Sequence, residues 1–400
     1  MLQPFVKEPY SDFTDASDAS RYRTALATVE RELGKEAPLV IGGDHVTTKA
    51  SIVSVDPSLP ATIVGKASSA DRDHVVSAID AAWGAFRDWS RRSAAERAGM
   101  IHRVGDLIAE RSYEFAAWQT YEAGKNWAEA EADVAEAIDF CRYYAHQALR
   151  LAEPVPVEAH PGETNESWLQ PIGAGVVIPP WNFPLAILVG MTVGPVAAGN
   201  TVVLKPASNT PLVGWGFMQV LAEAGMPDGV VNYLPGAGSV VGDALVDHPM
   251  TRFVNFTGSK EVGLRIAERS AQVTEGQRWL KRSYMEMGGK DALIVDETAD
   301  LEGAVADAIR SAFGFQGQKC SACSRLILLD EIHDEVLDGM VAAAAALEVG
   351  PARDNYPVGP VISAAQHRMI LSEIDKGRGE AQLLACLLYT SDAADELRSV

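Results

Sequence analysis

Between residues 71 and 90, apolar side chains recur every three or four positions (Val75, Ile79, Trp83, Phe86, Trp89) with charged and small residues between them. That period predicts an amphipathic helix. The same spacing predicts helices over 94–111 and 128–151, the second rich in Ala and Glu, and a charged helix over 19–33 in an N-terminal arm. Short β-branched runs at 39–46 and 50–55 read as strands, with Gly42-Gly43 as the turn. From Gly173 the pattern changes. Uniformly apolar runs at 174–179, 201–205, 230–234 and 253–256 alternate with helical stretches at 185–198, 213–224 and 238–247. Strands apolar on both faces belong in a parallel sheet covered on both sides. Beyond Glu286 a strand (292–295) and a helix (301–313) open a second α/β unit. The predicted fold class is therefore α/β, a doubly wound parallel sheet followed by a further α/β domain.

Four hundred residues exceed one simple core, so two domains or more are expected. No apolar run approaches the roughly 18 residues that span a bilayer, and the opening residues lack the apolar core of a signal peptide. A cytoplasmic protein is the expectation. The net charge of −20 argues against nucleic acid or an anionic membrane as partner, because both reward a basic face. Four cysteines in so long a chain are no disulfide framework.

Candidate chemistry concentrates in three stretches. Phe313-Gly-Phe-Gln-Gly-Gln-Lys-Cys320-Ser-Ala-Cys323 places a thiol on a Gly/Gln turn after a helical run, where free backbone N–H groups and Lys319 would favour the thiolate. A Cys-x-x-Cys redox pair or half a zinc site is the plainer alternative, but no second pair or His cluster accompanies it, and Cys323 reads as structural. Glu286, in Tyr-Met-Glu-Met-Gly-Gly-Lys, would be raised in pKa if its apolar neighbours desolvated it, which suits a general base. Asn182, between Pro180 and Pro184, offers a stiffly held amide that could share an oxyanion with the Cys320 N–H. Gly236-Ala-Gly238-Ser-Val-Val-Gly242 follows a strand and opens a helix, one residue longer than the usual dinucleotide fingerprint.

Together these strings resemble the aldehyde dehydrogenase superfamily, over residues 1 to about 385. The resemblance implies Cys320 as nucleophile, Glu286 as base and Asn182 as oxyanion donor. It implies NAD held around Ile178, Pro180, Trp181, Lys205, Ser208, Gly238, Gly242, Thr257, Gly258 and Ser259. Ser208 stands where many NAD-preferring members carry a glutamate, so tolerance of NADP is expected. Three strings (Lys7 to Phe13, Gly124 to Asp139, and Gly317 to Arg325) resemble the branch that oxidises L-glutamate γ-semialdehyde, the open form of 1-pyrroline-5-carboxylate. There Glu136 would take the substrate ammonium, Ser321 its carboxylate, and Phe183 its aliphatic chain. No metal is implied. Another small aldehyde, or an inactive nucleotide-binding fragment, are the alternative readings.

The resemblance divides the chain into an arm plus NAD-binding domain (1–285), with an oligomerisation arm at about 152–171, and a catalytic domain (286–385). A homo-oligomer is implied. Residues 386–400 look like a foreign tail, the catalytic domain is expected to be truncated, and the 400-residue chain is expected to be inactive where a longer parent would be active.

Overall fold

A computed structural model describes residues 2, 4–158 and 160–386, so the expected foreign tail lies, but for Cys386, outside the described residues. The arm forms helix α1 (Ala16–Glu30), followed by β1 (Lys35–Ala37), the hairpin β2 (Leu39–Ile41) and β3 (Asp44–Val46), then β4 (Ser51–Asp56) and β5 (Leu59–Ser68). Four helices come next: α2 (Arg72–Trp89), α3 (Ala94–Glu110), α4 (Ser112–Ala123) and α5 (Trp127–Leu151). Two of them start on capping boxes, Asp71 with His74 and Ser93 with Glu96, which satisfy the first orphan N–H groups. Helix α4 ends at Gly124, whose φ of +70° suits glycine, and a Cβ there would press 2.7 Å from Pro360.

The α/β alternation follows as predicted through β9: β6 (Ala174–Ile178), α6 (Ala186–Ala197), β7 (Thr201–Leu204), α7 (Pro211–Glu223), β8 (Val231–Tyr233), α8 (Asp243–Asp247, extended backward by a wider turn from Gly238) and β9 (Phe253–Gly258); α9 (Lys260–Ala271) and β10 (Arg282–Met287) continue it beyond what the pattern predicted. The seven-stranded sheet runs β10-β9-β6-β7-β8-β2-β3, parallel from β10 to β8, with the β2–β3 hairpin antiparallel at one edge. Side chains alternate between its two faces, as the strand period requires. Val177, Val202 and Leu204 join one core with α3, α5, α6 and α7; Val176, Ile178, Val203 and Val254 join a second with α2, α8 and α9. The three strands β1-β5-β4 form a separate small sheet.

The later part holds β11 (Asp291–Val295), α10 (Leu301–Phe313), β12 (Cys323–Leu328), α11 (His333–Ala345) and α12 (Ala364–Gly377). Strands β11 and β12 pair in parallel across α10, and Val295, Ile332 and Val336 make their own small core. Order along the main sheet reverses at β6, with β7 and β8 on one side and β9 and β10 on the other. In such sheets, ligands bind beyond the carboxyl ends of the strands at this switch point.

Candidate active site

Every expected cofactor residue lies at or beyond a carboxyl end of that sheet's strands. Ile178 closes β6 and leads to Pro180 and Trp181; Lys205 and Ser208 follow β7; Gly238 and Gly242 follow β8; Thr257 and Gly258 end β9, and Ser259 caps α9. Lys205 is 4 % exposed, no carboxylate among the described residues pairs with it, and its Nζ donates to the Pro206 carbonyl at 3.1 Å. Burial pushes its ammonium down to about 8. A Cβ at Gly242 would make only ordinary contact, 3.8 Å from the Lys205 stem, and one at Gly238 would meet nothing within 4 Å, so the surface of that turn is open. Ser259 Oγ accepts the Val262 N–H at 3.4 Å, leaving the other first-turn N–H groups of α9 facing outward, a place that suits an anion. Ser208 is exposed. A buried donor cation, an open glycine surface and a helix start form a set that fits a dinucleotide.

Cys320 sits in the loop joining α10 to β12 and is exposed. The loop turns through three successive left-handed residues, Phe315 (φ 48°), Gln316 (φ 56°) and Gly317 (φ 66°). Left-handed backbone costs about 1–2 kcal/mol at each non-glycine residue, so the packing around them must hold it. It does so from several sides. The Phe315 ring is 1 % exposed, packed with Ala123 and Ile362 and edge-on to Trp181. Gln318 accepts the Ile362 N–H at 3.0 Å. Gln316, with its amide turned to satisfy both ends, donates to Pro360 O at 3.1 Å and accepts from Gly359 N.

Asn182 meets this loop directly, its Nδ2 donating to the Gln318 carbonyl at 2.9 Å. An amide nitrogen carries two protons, so one remains for another acceptor. The Cys320 N–H has no acceptor among the described residues. On the other side, the glycines that follow Glu286 run beside the loop, and a Cβ at Gly289 would lie 3.7 Å from the Cys320 carbonyl oxygen. Cys323 instead begins β12, takes Ser311 Oγ on its N–H and points its thiol at Arg325 O.

Two expectations need correction. Glu286 is not desolvated: it lies exposed on β10, an edge strand whose outer side has no neighbouring strand among the described residues. Nor is the Lys319 charge free to favour the thiolate, because its Nζ pairs with Glu129 of α5 at 2.7 Å, both side chains about one-fifth exposed. That pair anchors the loop rather than charging it.

Glu136 projects from α5 with its surface exposed, yet the protein packed around its carboxyl desolvates it in part and raises it above the usual range, with Asp133 adding to the rise and Lys125 opposing it. Phe183 is half-buried and lies with its ring over Lys125 Nζ at 4.2 Å. Ser321 is exposed next to Cys320. Lys125, Asp133, Glu129, Phe315 and Gln318 were not singled out from the sequence, because apart from the Lys125–Asp133 pair, eight residues apart, their partners are far away along the chain. The one available signal was a lysine in the short link between α4 and α5 and an aspartate set among Ala132, Val134 and Ala135 in α5.

With this geometry in place, comparison with known proteins settles the class. A profile of the aldehyde dehydrogenase family matches residues 45–394, and the chain belongs to that family. It is 50% identical over 385 residues to the 1-pyrroline-5-carboxylate dehydrogenase of Geobacillus thermodenitrificans, covering 96% of this chain and 75% of that protein. A solved 1-pyrroline-5-carboxylate dehydrogenase from Thermus with bound NAD superposes with a TM-score of 0.95 at 50% identity, over 96% of this chain and 75% of that one. Proline utilization A from Bdellovibrio bacteriovorus superposes with a TM-score of 0.93 at 41% identity, over 96% of this chain and 40% of that one. No helix among the described residues is long and apolar enough to cross a membrane, and no group of His, Cys, Asp and Glu there could hold a metal ion.

Proposed function

We propose that this protein oxidises L-glutamate γ-semialdehyde, the open form of 1-pyrroline-5-carboxylate, to L-glutamate in proline degradation, with NAD as cofactor and a thioester on Cys320. The observation that carries it is the meeting of the Asn182 amide with the Cys320 loop at the carboxyl ends of the parallel strands. The relatives' names supply the substrate.

The Cys320 thiolate attacks the aldehyde carbon. The remaining Asn182 N–H and the Cys320 N–H receive the developing oxyanion, stabilising charge that water would otherwise have to reorganise around. A bound nicotinamide would supply the hydride acceptor needed for this adduct to be oxidised to a thioester. Glu286 then takes a proton from a water that attacks the thioester, releasing glutamate and regenerating the thiolate. Its exposure leaves room for that water. Lys205, the α9 start at Ser259 and the Gly238–Gly242 turn would hold the dinucleotide, with Ile178, Pro180, Trp181, Thr257 and Gly258 lining its path from β6 and β9. Glu136 would pair the substrate ammonium, Ser321 its carboxylate, and Phe183 its methylenes. Exposed Ser208 puts no charge against a 2′-phosphate, which supports tolerance of NADP.

All four thiols are free, which fits a reducing cytoplasm. The arm around the Val155–Ser167 bridge exposes Val155, Val157, Trp168 and Leu169, and we place the contact of a homo-oligomer there.

Glu286→Gln tests the chemistry. In the active enzyme, this variant mixed with substrate and NAD should release one NADH per active site in a burst and then stall as the thioester. Steady turnover at the unmodified rate would remove Glu286 from the deacylation step.

A further inference from the structure

Beneath the two loops that carry Asn182 and Cys320 lies an ion pair that the chemistry above does not use. Lys125 and Asp133 are both fully buried, with Nζ 2.6 Å from Asp133 Oδ2. The ammonium faces two rings at once, Phe183 at 4.2 Å and Phe315 at 4.9 Å from their centroids. Phe183 adjoins Asn182, and Phe315 is the first left-handed residue of the Cys320 loop. The other oxygen of Asp133 accepts the Ala186 N–H at 2.5 Å, at the start of α6 just beyond Phe183. Helix α6 has no side-chain cap of its own, so Asp133 fills that role from α5.

We propose that Lys125 and Asp133 are positioning residues which hold the Asn182 loop and the Cys320 loop in register, one ammonium gripping an aromatic ring from each. The physical case is direct. A buried ion pair costs desolvation and is weak evidence for stability by itself. Here its placement puts a cation, rather than a methylene, against the negative faces of both rings, and a desolvated cation–π contact is directional where apolar packing is not. The left-handed run at Phe315 needs such over-determination, since an unclamped loop would relax toward right-handed backbone. The clamp acts through Phe183, Phe315 and Ala186 and touches no reacting atom.

The inference rests on the assignment of Asn182 and Cys320 made above, so its test has one arm that needs no turnover. Lys125→Met alone leaves a buried unpaired carboxylate and can unfold the chain. The variant for the test is therefore Lys125→Met with Asp133→Asn, which removes both charges, keeps the volume and keeps an acceptor for Ala186 N–H. Peptide-resolved hydrogen exchange should show residues 179–186 and 313–322 exchanging at least tenfold faster than in the unmodified protein, with α3 (94–110) within twofold. In the active enzyme kcat should fall at least tenfold with KM within threefold, and the kcat losses of this variant and Phe315→Leu should not add. Exchange raised equally everywhere, or unchanged in the two loops, would overturn the clamp. Local loosening without any aldehyde oxidation by the unmodified enzyme would leave the clamp standing and remove the proposed activity instead.

Discussion

Cys320 and Cys323 are three residues apart, but only one of them can be attacked from solvent beside an amide donor. Cys320 is exposed in a loop bonded to Asn182, whereas Cys323 is committed to β12. In the active enzyme, Cys320→Ala should abolish oxidation and Cys323→Ala should keep most of it. Mapping the site of iodoacetamide inactivation checks this, and modification tracking Cys323 would reverse the roles. Ser208 carries a second prediction at this scale. Ser208→Glu should raise the NAD over NADP ratio of kcat/KM, because a carboxylate there can pair ribose hydroxyls and repel a 2′-phosphate. Since Ser208 is exposed, solvent screening holds the gain to about 1 kcal/mol, roughly fivefold. An unchanged ratio would mean that position 208 does not face the ribose.

Two of the core helices borrow their N-terminal caps from distant acids. Asp133 serves α6, and Glu122, 0 % exposed in α4, takes the Leu212 and Val213 N–H groups of α7 at 2.8 Å each. Burial pushes the Glu122 carboxyl up from 4.5 to about 7, against the pull of those two donors. A carboxyl raised on folding stabilises the native state below its unfolded pKa and loses that contribution as pH climbs through the folded one. Glu122 should therefore contribute stability near pH 4.5 that disappears by about pH 7, on the order of 3 kcal/mol. Glu122→Gln should flatten denaturation midpoints across that window, and an unaltered pH profile would show that another group governs it. Neither cap was legible in the sequence, since their partners lie 53 and 90 residues away. The striped helices α2, α3, α5 and α10 were legible to within a residue or two, α1 lies three residues before its reading of 19–33, and α9, α11 and α12 were not read. Helix α4 was missed because it is buried almost all round and so has no polar face to set a period. Strand β10 was missed because its pattern is that of an exposed edge, charged and polar at most positions.

At the scale of the whole molecule, the doubly wound sheet could be read from apolar strand runs alone, and its switch point brings together segments as distant as Asn182 and Gln318. What the runs could not disclose was the environment of each group there. Glu286 looked desolvated among Met and Gly neighbours, yet an edge strand exposes it; Lys319 looked like a free charge, yet α5 supplies Glu129. Local sequence reports neighbours along the chain, and electrostatics depends on neighbours across it. Substrate choice is proposed to rest on a zwitterionic amino-acid head held by Glu136 and Ser321, with Phe183 along the chain between. The direct measurement is kcat/KM for L-glutamate γ-semialdehyde against unfunctionalised aldehydes of similar length, with NAD, in the unmodified enzyme and in Glu136→Ala. A clear preference for the semialdehyde is expected, eroded at least tenfold in Glu136→Ala, chiefly through KM. Faster turnover of the plain aldehydes, or a preference indifferent to Glu136, would contradict it.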